Sequence, residues 1–206
     1  MPKQKITLDD GDTRLIINTC KKYGLLRNEA AYVLATARWE TAHTMKPVRE
    51  FGGEGYLRQK KYYPYVGMGY VQLTWAANYQ WATNRFGVDF VSNPKLLLEP
   101  KYAAEILVVG MKEGAFTGRK LSHFFNLQVS NWPEARRIVN GVDKKMEIAH
   151  LGVVYDNLLI EDGYGINDNA TEVPVTPPVT PAPVTPKPTL IQLISRLLRW
   201  IFKKRK

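Results

Sequence analysis

One stretch limits the fold of this chain more than any other. Val173–Pro188 reads Val-Pro-Val-Thr-Pro-Pro-Val-Thr-Pro-Ala-Pro-Val-Thr-Pro-Lys-Pro, a repeat of Pro-Val-Thr. Proline fixes φ and lacks an amide hydrogen, so such a run is excluded from helices and central strands and stays extended. The 206 residues therefore divide into a body over 1–165, a linker over 166–188 and a terminal element over 189–206. The body is long enough for one sizeable core. Charge follows the same division. Of the 29 Lys/Arg, seven lie in 187–206 with no acid among them; the other 22 face 19 Asp/Glu, leaving only +3 of the total +10 before residue 187. The basic character belongs to the tail, and no nucleic-acid partner is expected for the body.

Within the body, helical signals dominate. Residues 13–23 form an amphipathic pattern closed by Gly24, and Asn28 is a suitable N-cap for a second helix running to about Thr41. Its apolar stripe is Ala30, Val33, Leu34 and Ala37. Pro47 and Gly52-Gly53 end helical structure, so 46–56 is expected as a loop. Gly67–Trp75 reads as a turn and a short strand, with Val71, Leu73 and Trp75 facing the core and Tyr70, Gln72 and Thr74 facing outward. Further helices are expected over 76–86, ended by Gly87, and over 100–113, ended by Gly114; two more cover 133–140 and 145–160. The fold class is mainly α with a small β element, two-lobed and lysozyme-like α+β. One cysteine, Cys20, excludes an internal disulfide and fits a reducing compartment.

Chemistry concentrates at the end of the second helix. Glu40 sits on the edge of the buried stripe, and Glu50 follows ten positions later on the loop, with Glu54 close behind. Two carboxylates held differently, one on a helix and one on a loop, are the minimum for hydrolysing a glycosidic bond. The outward face Tyr70, Gln72 and Thr74 supplies hydrogen-bonding groups suited to a sugar, and the Tyr62-Tyr-Pro-Tyr65 cluster supplies rings that either stack on sugars or join the core. A rival pattern is present. Glu40-Thr-Ala-His43 and Glu147-Ile-Ala-His150 share the Glu-x-x-His spacing of di-iron bundles, but such a site needs further glutamates on two more long helices. Pro47 and the glycine pair break the chain just after the first motif. No metal or other cofactor is expected.

Three motifs in order carry a resemblance: Ala35-Thr-Ala-Arg-Trp-Glu-Thr-Ala-His-Thr-Met-Lys-Pro-Val-Arg-Glu-Phe51; Gly69-Tyr-Val-Gln-Leu-Thr-Trp75 with Asn78-Tyr79; and Ala135-Arg-Arg-Ile-Val-Asn-Gly141. Together they resemble the glycoside hydrolase family 19 group, most of all its bacteriophage endolysin branch, similar in fold to plant chitinases and lysozymes. The resemblance spans about residues 25–160. It implies an inverting hydrolase with Glu40 as general acid, Glu50 as base and Thr74 holding the attacking water. It also implies that Gln72 contacts sugar and that Asn140 and the neighbouring Arg137 line the cleft and order the acid. Tyr70, from the outward face, and Glu54, on the acidic loop, join the substrate-binding candidates, and Glu54 stands beside Glu50 as a second candidate base. Where the family has Gly-Arg-Gly, this chain has Gly67-Met68-Gly69. The carboxylates are then either unbraced or braced by an arginine elsewhere.

On a helix, Gln192, Ser195, Arg196, Arg199 and Lys203 fall on one narrow arc, with leucines, isoleucines, Trp200 and Phe202 filling the rest. With Lys204, Arg205 and Lys206 this makes a cationic amphipathic helix suited to an anionic membrane or lipopolysaccharide. Met1–Leu8 lacks an apolar run, so no secretory signal is read, and no stretch reaches the roughly 18 apolar residues of a spanning helix. The expectation is a monomeric endolysin acting on peptidoglycan glycan strands. It accumulates in the host cytoplasm, works in the periplasm and cell wall, and relies on a separate membrane-permeabilising protein for release. The alternatives are a chitinase, or a membrane-permeabilising protein acting through its tail.

Overall fold

A computed structural model of the chain describes residues 5–165. The linker over 166–188, the helix expected over 189–206 and its residues Arg196, Arg199, Trp200, Lys203, Lys204, Arg205 and Lys206 lie outside the described residues. Six α-helices carry the fold: α1 (Thr13–Lys22), α2 (Arg27–Glu40), α3 (Glu54–Leu57), α4 (Ala76–Phe86), α5 (Pro100–Glu113) and α6 (Lys145–Glu161). Two short strands, β1 (Val48–Arg49) and β2 (Met68–Gly69), pair antiparallel, Val48 with Gly69 and Arg49 with Met68. Short 3-10 segments cover Pro94–Leu98, Leu121–His123 and Glu134–Ile138. The architecture is the mainly helical, small-sheet α+β class expected.

The core is built around α2. Every residue from Ala30 to Arg38 is buried, so this helix is enclosed all round and not merely along the stripe expected from its spacing. Four alanines (Ala30, Ala31, Ala35 and Ala37) let neighbouring backbones approach closely. Its main partner is α6, while α1 packs chiefly on α5. Three polar residues caught inside are paired: Arg38 donates to Asp10 at 2.9 Å, and Thr36 and Thr41 donate to carbonyls one turn back, at 2.9 and 2.8 Å. The buried Tyr32 hydroxyl has no hydrogen-bond partner among the described residues.

The start of α2 differs from expectation. Leu26 takes the cap position, and its N–H is held by Glu29 Oε2 at 3.0 Å, the reciprocal half of a capping box. Asn28 sits inside the first turn and turns its side chain outward, donating to Asn126 O at 2.9 Å and Ser130 Oγ at 2.8 Å. It anchors a distant loop. The stops of α4 and α5 match expectation: Gly87 (φ +65°) and Gly114 (φ +80°) close them in the left-handed conformation.

The region over 46–75 departs most. The segment expected as loop contains β1 and the one-turn α3, with Glu54 as the first residue of α3. The expected strand over 67–75 is instead a two-residue strand followed by a tight turn. Met68 and Leu73 exchange backbone hydrogen bonds at 3.1 and 2.9 Å across Gly69–Gln72. Strand alternation does not persist through a turn, so the face assignment fails at both ends. Tyr70 is fully buried and donates to Asp12 Oδ2 at 2.6 Å, whereas Trp75 is 43% exposed. Gly69 is required here: at φ +83°, an added Cβ would stand 3.1 Å from the Leu97 carbonyl oxygen.

Candidate active site

Glu40 is the last residue of α2, beyond the wholly buried run, with its side chain 18% exposed. One oxygen is engaged. Arg136 Nη1 donates to Glu40 Oε1 at 2.6 Å, and Arg136 Nε donates to the Asp143 carbonyl at 3.2 Å. The Arg136 side chain is 5% exposed. A charge-assisted bond of this length from a buried, doubly anchored arginine fixes the carboxylate. This is a brace that Met68 does not provide.

The family resemblance pointed to Arg137 for this task. In the structure Arg137 is exposed and donates to Glu134 Oε2 at 2.7 Å. Within Glu134–Ile138 successive side chains point in different directions, and the inward position falls to Arg136. Asn140 is exposed and accepts the Gly141 N–H at 2.8 Å.

Glu50 follows β1 directly and is held by neutral donors on both oxygens. Tyr62 donates its hydroxyl to Oε1 at 2.6 Å, and the Gly67 N–H donates to Oε2 at 3.0 Å. Its own backbone N–H donates to the Gly67 carbonyl at 2.6 Å. Hydrogen bonding to Glu50 pushes the Tyr62 hydroxyl up to about 12, so it remains a donor at neutral pH.

Glu54 lies in different company. It is 48% exposed and accepts from Tyr63 Oη at 2.7 Å and Arg49 Nη2 at 2.9 Å, with Arg58 Nε at 3.6 Å. The Tyr63 hydroxyl bond, opposed by desolvation and joined by Arg49 and Arg58, holds its carboxyl below the usual range.

Gln72 and Thr74 work within the turn. Gln72 has φ +52°, and its amide donates to Val48 O at 2.8 Å and Gly69 O at 3.3 Å, clasping the turn to β1. Thr74 Oγ1 donates to the Gln72 carbonyl at 2.8 Å, leaving the hydroxyl oxygen as an acceptor. Tyr70 takes no place on this surface, for the reason given above.

The two Glu-x-x-His pairs part company. His43, Glu147 and His150 line a cavity of about 670 Å³ between the end of α2 and α6, together with Trp39 and Met146, but Glu40 does not line it. Among the described residues no group of three or more His, Cys, Asp or Glu is placed to hold a metal ion. Burial, and then Arg38, push His43 below the usual imidazole range.

With this geometry in view, one solved structure is informative. The chain is similar to chitinase C from Streptomyces griseus, with a TM-score of 0.51 at 21% identity, over 65% of this chain and 60% of that one. The fold is chitinase-like. The aligned part is less than two thirds of the chitinase's length, and at this identity the likeness concerns the fold. No model of a known family and no curated protein sequence matches the chain.

Proposed function

We propose that the protein is a glycoside hydrolase of the endolysin type, cleaving β-1,4 links in peptidoglycan with inversion. The observation that carries this reading is a pair of carboxylates fixed by different elements: Glu40 at a helix end, held by the buried Arg136, and Glu50 just beyond β1, held by Tyr62 and the Gly67 N–H. The motif resemblance assigns the proton to the first and the base to the second. In this scheme Glu40 gives its proton to the glycosidic oxygen as the bond from that oxygen to the anomeric carbon breaks. A water enters from the opposite face, forms the new bond to the anomeric carbon and passes its proton to Glu50. Thr74 Oγ1, its own proton committed to the Gln72 carbonyl, accepts the water's second hydrogen and aims its lone pair. Such a mechanism requires the carboxyl groups about 6.5–9.5 Å apart.

Glu54 fits the role of base less well. A carboxylate compensated by guanidinium groups is a weak proton acceptor, and Arg49 and Arg58 both approach Glu54. Peptidoglycan is preferred over chitin because the spacing of the second glutamate follows the lysin-type motif, and because a cationic tail suits a bacterial envelope. The second reading, a chitinase, draws on the similarity to chitinase C. Mass spectrometry of sugars released from purified peptidoglycan and from chitin by wild type, Glu40→Gln and Glu50→Gln separates the two. Muropeptide fragments from wild type alone are expected. A fully active Glu40→Gln overturns the mechanism, and release from chitin alone favours the second reading.

A further inference from the structure

We propose that Trp75 is a platform on which a pyranose ring of a β-1,4-linked amino-sugar glycan stacks, in the position next to Glu50. The proposal rests on the glycan-cleaving reading of the site. Its first observation is backbone conformation. Trp75 has φ +80° and ψ 141°, a region that side-chain-bearing residues rarely occupy and that is characteristic of strained functional positions. Its backbone is held there from both directions: the N–H donates to Tyr65 O at 2.9 Å, and the carbonyl accepts from Asn78 and Tyr79 at 3.0 and 3.1 Å as α4 begins. The second is exposure. In this conformation the large indole is left 43% exposed.

The third observation is connection to the chemistry. The Trp75 ring meets the Tyr62 ring edge to face, with centroids 5.3 Å apart, and the Tyr62 hydroxyl is the 2.6 Å donor to Glu50. An exposed indole thus stands one side chain away from the carboxylate assigned as base. Neighbouring Tyr56 is also exposed, but Lys60 Nζ lies 3.9 Å from its ring centroid. Among the described residues no cation lies over Trp75. Its exposed part suits the apolar C–H face of a β-linked sugar, and a ring seated there is held beside the carboxylate assigned as base. Tyr62 is then a positioning residue that joins the stacking surface to the base.

The test uses the full chain carrying Glu40→Gln, which holds glycan without turning it over. Isothermal titration with a β-1,4-linked N-acetylglucosamine hexamer and with soluble peptidoglycan strands is expected to show binding. Adding Trp75→Ala is expected to weaken it about tenfold, the scale of one aromatic contact and the area it covers, with Trp75→Phe restoring part. Equal affinity with and without Trp75 overturns the platform while leaving the hydrolase reading intact. Absence of any glycan binding by Glu40→Gln, with wild type inactive, overturns the hydrolase reading itself. Loss of phosphatidylglycerol-vesicle binding in place of oligosaccharide binding also overturns the platform, assigning the ring to a lipid surface. In the otherwise wild-type chain, Tyr62→Phe keeps the ring contact and is expected to lower kcat with little change in KM. The reverse pattern removes Tyr62 from its positioning role. Trp75→Ala keeps the Cβ and so the strained backbone, and it gives up the ring contact with Tyr62; a single cooperative melt within a few degrees of the parent is expected, so that lost affinity is not lost fold.

Discussion

Arg136 donates to Glu40 across 2.6 Å, joining the Glu134–Ile138 segment to the end of the most enclosed helix in the described structure. Both partners are largely shielded from water, at 5% and 18% exposure. Removing one partner of a shielded pair leaves the other charge uncompensated, typically at about 3–5 kcal/mol for fully buried pairs and less here because Glu40 retains some solvent. Arg136→Ala is therefore expected to lower the melting temperature and to reduce hydrolysis by about 100-fold or more, the scale of a misplaced catalytic group. Arg137→Ala removes an exposed pair with Glu134 and is expected to change stability by less than about 1 kcal/mol. Thermal melts and kcat/KM for the two variants give the comparison; equal effects would return the bracing role to either arginine.

The assignment of the base predicts unequal consequences for two neighbouring glutamates. Glu50→Gln keeps the shape of its site but cannot take up a proton, so a fall in kcat of about 100-fold or more is expected. Glu54→Gln loses its pairs with Arg49 and Arg58 but no proposed chemical step, so kcat within about threefold of wild type is expected. The two kcat values on solubilised peptidoglycan decide it, and a Glu54→Gln enzyme as impaired as Glu50→Gln would reassign the base.

Tyr70 provides a test of the hairpin's attachment. It is fully buried and donates to Asp12 at 2.6 Å, so Tyr70→Phe removes a bond to a charged acceptor without altering the packed ring. Destabilisation of about 1.5–3 kcal/mol is expected, with KM for glycan unchanged. A raised KM with unaltered stability would place the hydroxyl in contact with substrate after all.

Acid stability follows from Asp10. Desolvation raises its carboxyl, but hydrogen bonds from the Thr7 backbone and side chain and from Arg38 outweigh it, so the folded group lies below its ordinary value of 3.8. A group lowered on folding stabilises the native state above its unfolded value, and that contribution is lost as pH falls through the lower folded value. Denaturant unfolding of wild type and Asp10→Asn is expected to show a constant gap above about pH 5 that closes as the pH drops below the ordinary carboxylate range. A gap independent of pH would detach the effect from ionisation.

Much of the helical frame is legible because its stops have local causes. Gly87 and Gly114 close helices in a conformation that other residues avoid, and Pro100 opens one where its missing amide hydrogen costs nothing. The helix bearing Glu40 is visible from its spacing, although its complete enclosure depends on what packs around it. The hairpin is less legible. Alternation of Tyr70, Val71, Gln72 and Leu73 resembles a strand, but the Met68–Leu73 bridge folds those residues into a turn, a long-range outcome that period alone does not reveal. Arg136 and Arg137 are adjacent and chemically identical. Which one reaches Glu40 depends on the rotational phase of a short 3-10 segment.

The enclosure of α2 has a consequence for change in this protein. Glu40, the proposed acid, stands on the element whose replacement disturbs the whole interior, and the proposed base stands just after β1 in a segment that itself sends Leu57, Val66, Met68, Tyr70, Val71 and Leu73 into the core. That segment is also tied to the start of α1 through the bond from the Tyr70 hydroxyl to Asp12. Changes of sugar preference that spare the core are therefore expected at exposed positions beside the proposed base, such as Phe51 and Trp75.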